Sequence, residues 1–166
     1  MARTESTMLT LGTKAPVFAL PNTNGNTVSL DDYSQTKGVV VMFICNHCPY
    51  VHHVREELSR MGRDYQDSGV ALVAINSNDV EKYPDDHPDR MRDEVDNYNY
   101  VFPYLYDETQ DVAKAYGAAC TPDFFVFDAS QSLVYRGQFD DSRPGNDVPV
   151  SGADLRQAMD NLLAGR

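Results

Sequence analysis

The chain has 166 residues, 42% hydrophobic and 23% charged, with a formal net charge of −11. Such a length and balance suit one globular domain with a sizeable core, predicted to span residues 1–166. The acidic surplus excludes binding of nucleic acid or an anionic membrane through a general positive field, and no apolar stretch approaches the roughly 20 residues of a membrane helix.

From the N-terminus, MARTESTMLTLGTKAP carries no apolar segment of the secretory type, so a cytoplasmic location is expected. Residues 16–20 and 27–30 read as a short hairpin around Asn22-Thr23-Asn24-Gly25-Asn26, a strong turn signal. Residues 39–44 form an unbroken apolar run rich in β-branched side chains, the pattern of a central strand covered on both faces. From 49 to 68, Val51, Val54, Leu58, Met61 and Tyr65 keep helical spacing, and Gly69 ends the helix. A second buried strand covers 70–76. Pro84 and Pro88 then break a polar stretch, and Pro88 is placed to open a helix to about 97, with Asp86 or His87 near its start. A short strand is predicted at 102–106 and a short helix at 109–116, ended by Gly117. A hairpin of 123–128 and 133–138 follows, turning at Ala129-Ser130-Gln131. An amphipathic helix over 151–163 closes the chain, with Ser151 as N-cap. Alternating strands and helices with a terminal hairpin imply an α/β fold, a mixed sheet with helices on both faces.

Cys45-Asn46-His47-Cys48 falls between the 39–44 strand and the helix that starts at Pro49. A buried strand ending at two cysteines delivers both thiols to a helix N-terminus, where unpaired N–H groups and the helix dipole favour a thiolate. Two cysteines so spaced can also close a small disulfide. The arrangement reads as a dithiol redox centre. An odd count of three cysteines does not make a structural disulfide framework, and in a reducing compartment a Cys-x-x-Cys pair is more often catalytic or metal-binding than structural.

Three motifs in order give a specific resemblance. Gly12-Thr13-Lys14-Ala15-Pro16-Val17-Phe18-Ala19-Leu20 is similar to the G-x-x-A-P-x-F-x-L opening of redoxins. Strand, Cys-x-x-Cys and helix follow at 43–51, and Thr121-Pro122 precedes Phe124-Phe125-Val126-Phe127-Asp128. Together they resemble the thioredoxin-like superfamily in its redoxin branch, the AhpC/TSA or TlpA-like proteins. The resemblance implies a thioredoxin-like fold with an N-terminal hairpin extension, thiol–disulfide oxidoreductase activity and no organic cofactor or metal. It also implies protein or small-molecule disulfides as substrates and a thiol electron donor as partner, without nucleic acid or membrane.

Within that resemblance Cys45 is the more exposed nucleophile with a lowered pKa, and Cys48 resolves the mixed disulfide. His47 stabilises the thiolate. Pro122 follows a cis bond that exposes the Thr121 backbone to an extended substrate. Asn46, Thr121 and Cys120 sit beside the substrate, although Cys120 also reads as a small buried residue that packs like a hydrophobe. Thioredoxins bury an acid in the strand before the motif, whereas Val39-Val40-Val41-Met42 offers none, so proton transfer at Cys48 needs another group or water.

Two alternatives remain open. Peroxiredoxins carry P-x-x-x-T-x-x-C; with Cys48 in the peroxidatic place, Cys45 would replace the threonine, and a thiol is a much weaker hydrogen-bonding group. Cys45, Cys48, His52 and His53 could instead hold zinc or cuprous copper. Elsewhere, Asp85, Asp86, Asp89, Asp93 and Glu94 read as a solvated helix start, and the alternation of Tyr98, Tyr100, Phe102, Tyr104 and Tyr106 as strand packing.

Overall fold

A computed structural model describes residues 9–118 and 120–166. Its centre is a five-stranded sheet in the order β5-β4-β3-β6-β7, formed by β3 (Gly38–Phe43), β4 (Val70–Asn76), β5 (Tyr104–Tyr106), β6 (Asp123–Asp128) and β7 (Leu133–Gly137). β3, β4 and β5 run parallel, while β6 and β7 are antiparallel additions. β1 (Ala19–Pro21) and β2 (Thr27–Ser29) make the expected separate hairpin, which meets the sheet edge through a bridge from Asn22 to Leu105.

The period-2 pattern of the strands divides the core. Val40, Met42, Leu72, Ala74, Phe124 and Val126 pack on one face beneath α1 (Pro49–Tyr65), α2 (Pro88–Tyr98) and α4 (Ala153–Leu163). Val39, Val41, Phe43, Val73, Ile75, Phe125 and Phe127 pack on the other, against the hairpin side and α3 (Asp111–Tyr116). All six residues of β3 are buried, as a central strand covered on both faces requires. No helix among the described residues is long and apolar enough to cross a membrane.

Several boundaries move for identifiable reasons. The expected 102–106 strand shortens to Tyr104–Tyr106, because Asn99 ends α2 with φ 55 and the chain must first turn back. The alternating aromatics therefore pack without a continuous strand: Tyr100, Phe102 and Tyr104 are buried all the same. Ser151 is not the N-cap of α4. Gly152 takes that position at φ 70, since the buried Asp140 carboxylate accepts from both Ser151 N and Gly152 N at 2.8 Å. Gly is suited there twice over, as an added Cβ would lie 2.8 Å from Phe139 Cζ and φ is positive.

Candidate active site

β3 ends at Phe43 and α1 begins at Pro49, so the Cys-x-x-Cys turn occupies the strand-to-helix connection. Pro49 at the first helical turn sets the helix start after the second cysteine, which makes Cys48 the N-cap residue. The Thr121–Pro122 peptide is cis, as expected. It places Thr121 against the pair: its Oγ1 is 3.4 Å from Cys45 Sγ and its carbonyl oxygen 3.6 Å from Cys48 Sγ. Cys120 lies in the turn just before, partly buried. No disulfide joins Cys45 and Cys48.

Exposure does not separate the two sulfurs as the sequence suggested. Cys45 is 1% exposed and Cys48 0%. Their electrostatics differ more, and in the opposite sense to expectation. Cys48 is lowered to about 5: the Cys45 thiol donates to it, and the Thr121 hydroxyl and the N–H groups of Val51 and Tyr50 favour its charge, against the opposing effect of burial. The sulfur closes no cap hydrogen bond in this form, yet it lies near enough to the open helix end for those groups to act on its charge. Cys45 is raised, first because its S–H donates to Cys48, then by burial, with the Asp86 charge pushing the same way. Cys48, as the N-cap residue, lies at the anion-favouring helix end, while the Asp86 carboxylate lies beside Cys45.

Asp86 is the residue that the sequence hid. Grouped with four other carboxylates it looked like solvated helix-start chemistry, but it is 0% exposed. It ends a 3-10 turn, Pro84–Asp86, that folds back over the dithiol turn. Its Oδ1 accepts from Asn46 N at 2.6 Å and His47 N at 3.1 Å, while Oδ2 accepts from Asn78 Nδ2 at 2.9 Å and from His47 Nδ1. The His47 ring stacks on Tyr83, with centroids 4.3 Å apart and planes 5° from parallel, and its Nε2 is buried without a hydrogen-bond partner. Expected beside the substrate, Asn46 instead turns inward. It is 7% exposed; its Oδ1 accepts from Tyr104 OH at 2.8 Å, its Nδ2 donates to Asp85 O at 2.9 Å, and its carbonyl accepts from His52 Nε2.

The ligand set considered from the sequence does not converge, because His52 is turned to the Asn46 carbonyl and His53 Nε2 to Ser142 Oγ at 3.1 Å. Cys45 Sγ, a His47 ring nitrogen and an Asp86 oxygen do lie within 4.8 Å of one another. Four N–H donors already occupy the Asp86 carboxylate, so this group is a hydrogen-bonded constellation rather than an open cradle for a cation.

Residues 11–136 match the AhpC/TSA family, and the chain belongs to it. A provisionally assigned peroxiredoxin of Mycobacterium tuberculosis (strain CDC 1551 / Oshkosh) is 30% identical over 115 residues, covering 69% of this chain and 68% of that protein. The thiol-disulfide oxidoreductase ResA of Halalkalibacterium halodurans is 25% identical over 123 residues, covering 74% of this chain and 65% of its own length. A solved structure of an uncharacterized conserved protein from Geobacillus kaustophilus shares 56% identity, with TM-score 0.97 over all of this chain and 88% of that one. The architecture is the thioredoxin-like one of the redoxin branch.

Proposed function

We propose that the protein is a thiol–disulfide oxidoreductase that cycles Cys45 and Cys48 between dithiol and disulfide. The observation that carries this reading is a Cys-x-x-Cys turn at the start of α1, facing a cis-proline segment whose Thr121 reaches both sulfurs. The sequence assigned the first attack to Cys45; the position of Cys48 at the helix N-terminus supports Cys48 as the attacking thiolate instead, because the thiolate and not the thiol is the nucleophile. Cys48 attacks one sulfur of a substrate disulfide, and the other leaves with the S–S electron pair. Cys45 then releases its proton and attacks the Cys48 sulfur, and the second substrate sulfur departs. In sum, one substrate disulfide becomes two thiols while the pair loses two electrons and the one proton held by Cys45, the other thiol taking its proton from solvent. Neither sulfur reaches the surface, so exchange requires the dithiol turn or the Thr121 segment to give way locally.

Mixed-disulfide trapping with a small aromatic disulfide tests the order of attack. Cys45→Ser is expected to accumulate the adduct on Cys48, and Cys48→Ser to react slowly. Loss of reactivity in both variants without any adduct would remove the reading. A thiol peroxidase is the second reading, favoured by the mycobacterial relative and by the lowered Cys48. Hydrogen peroxide consumed faster than a disulfide substrate would select it.

A further inference from the structure

We infer that Asp86 is the positioning residue of the dithiol: its carboxylate fixes the Asn46–His47 turn and opposes a thiolate on Cys45. The inference rests on the proposed dithiol chemistry and deepens it. Both backbone N–H groups between the cysteines end on one carboxylate oxygen, so the turn is set from a segment 40 residues away in sequence. Asp86 is fully buried, where its charge is little screened. An anion on Cys45, within 4.8 Å, would face that charge directly. Cys48 lies one turn on, at the helix end that favours an anion.

The groups around Asp86 come from every neighbouring element. His47 contributes from the dithiol turn, His52 from α1 through the Asn46 carbonyl, and Tyr104 from β5 through the Asn46 side chain. Glu94 of α2 also feels Asp86, but it is paired with Arg55 at 3.2 Å. The carboxylate also fixes His47. With Nδ1 bound to Asp86, the ring is held with its Nε2 buried and without a hydrogen-bond partner. A buried acid thus reaches the thiols from the β4–α2 connection, and not from the strand that leads to them.

The test is thiolate absorbance at 240 nm against pH in the Cys48→Ser/Cys120→Ser protein, where Cys45 is the sole thiol. Ser is a sound N-cap, so the helix start is preserved. Adding Asp86→Asn is expected to raise the Cys45 thiolate fraction at pH 7 at least tenfold, and Asp86→Glu to restore most of the suppression. A folded Asp86→Asn protein that loses thermal stability but leaves the Cys45 titration in place would make Asp86 merely structural and overturn the inference. Should Asp86→Asn not fold, the parent double variant decides. Cys45 must titrate above the same thiol in the urea-unfolded chain, and an equal or lower value overturns the inference. Failure of mixed-disulfide trapping with the titration as expected would strike the redox reading instead.

Discussion

Arg136 offers the clearest quantitative test of how the site is held. Its guanidinium is wholly buried against Asp123, with Nη2 to Oδ2 at 2.7 Å and both side chains 0% exposed, Nε to Oδ1 at 3.4 Å, and Nη2 also donating to Gly117 O at 2.9 Å. It lies 4.4 Å from the Phe125 ring centroid. Asp123 follows Pro122 directly, so this pair ties the cis-proline segment to β7. Arg136→Met leaves the Asp123 carboxylate buried without its cation, which costs about 3–5 kcal/mol. That is a large share of the roughly 5–15 kcal/mol of a typical domain, and at about 2–4 °C per kcal/mol it lowers Tm by roughly 6–20 °C. Asp123→Asn/Arg136→Met, which removes both charges, is expected to cost less than Arg136→Met alone. Thermal unfolding followed by circular dichroism measures both variants against the wild type. A loss below about 1 kcal/mol for Arg136→Met, or a double variant that costs as much as Arg136→Met or more, would refute the argument that pairing holds this segment.

Other expectations concern the dithiol turn. With Cys48 lowered from 9.0 to about 5, the reduced protein should show one thiolate at pH 7, its 240 nm absorbance lost as pH falls through about 5; titration only near 9 would contradict the site electrostatics. The sign for stability follows: a depressed group stabilises the folded form above its unfolded value and loses that contribution as pH falls toward the folded value. The advantage of reduced wild type over Cys48→Ser in urea unfolding should therefore shrink between pH 9 and 5. Tyr104→Phe removes the donor to Asn46 Oδ1 and should cost about 1–3 kcal/mol, because a buried acceptor loses its partner. An unchanged urea midpoint would show that the bond carries no weight. Gly152→Ala should cost at least about 1 kcal/mol, since a Cβ there meets Met61 and Phe139 at a positive φ.

Most of the scaffold was legible because it rests on local periodicity. The β-branched run of β3, the i, i+3, i+4 apolar face of α1 and the turn chemistry at Asn22–Asn26 each carry their structure in neighbouring residues. The cis bond at Thr121–Pro122 and the separate hairpin followed from the ordered motifs. What escaped was set by contacts distant in sequence. Asp86 has the same local signature as the exposed Asp85 and Asp89 beside it, and only the folding of the Pro84–Asp86 turn onto residues 46 and 47 buries it. Asn46, expected beside the substrate, is turned inward because β5 brings Tyr104 beneath it. The start of α1, by contrast, was legible. Pro49 was the available signal: it starts the helix one residue after Cys48 and hands that cysteine the N-cap.

The central claim is that Cys45 and Cys48 form one reversible disulfide. Equilibration of the protein in glutathione buffers of graded potential, acid quenching and peptide mapping test it most directly. The account predicts a single two-electron transition in which a Cys45–Cys48 bond appears and disappears while Cys120 stays a thiol. A Cys48 that remains reduced in fully oxidised glutathione, or a bond joining Cys120 in its place, would contradict it.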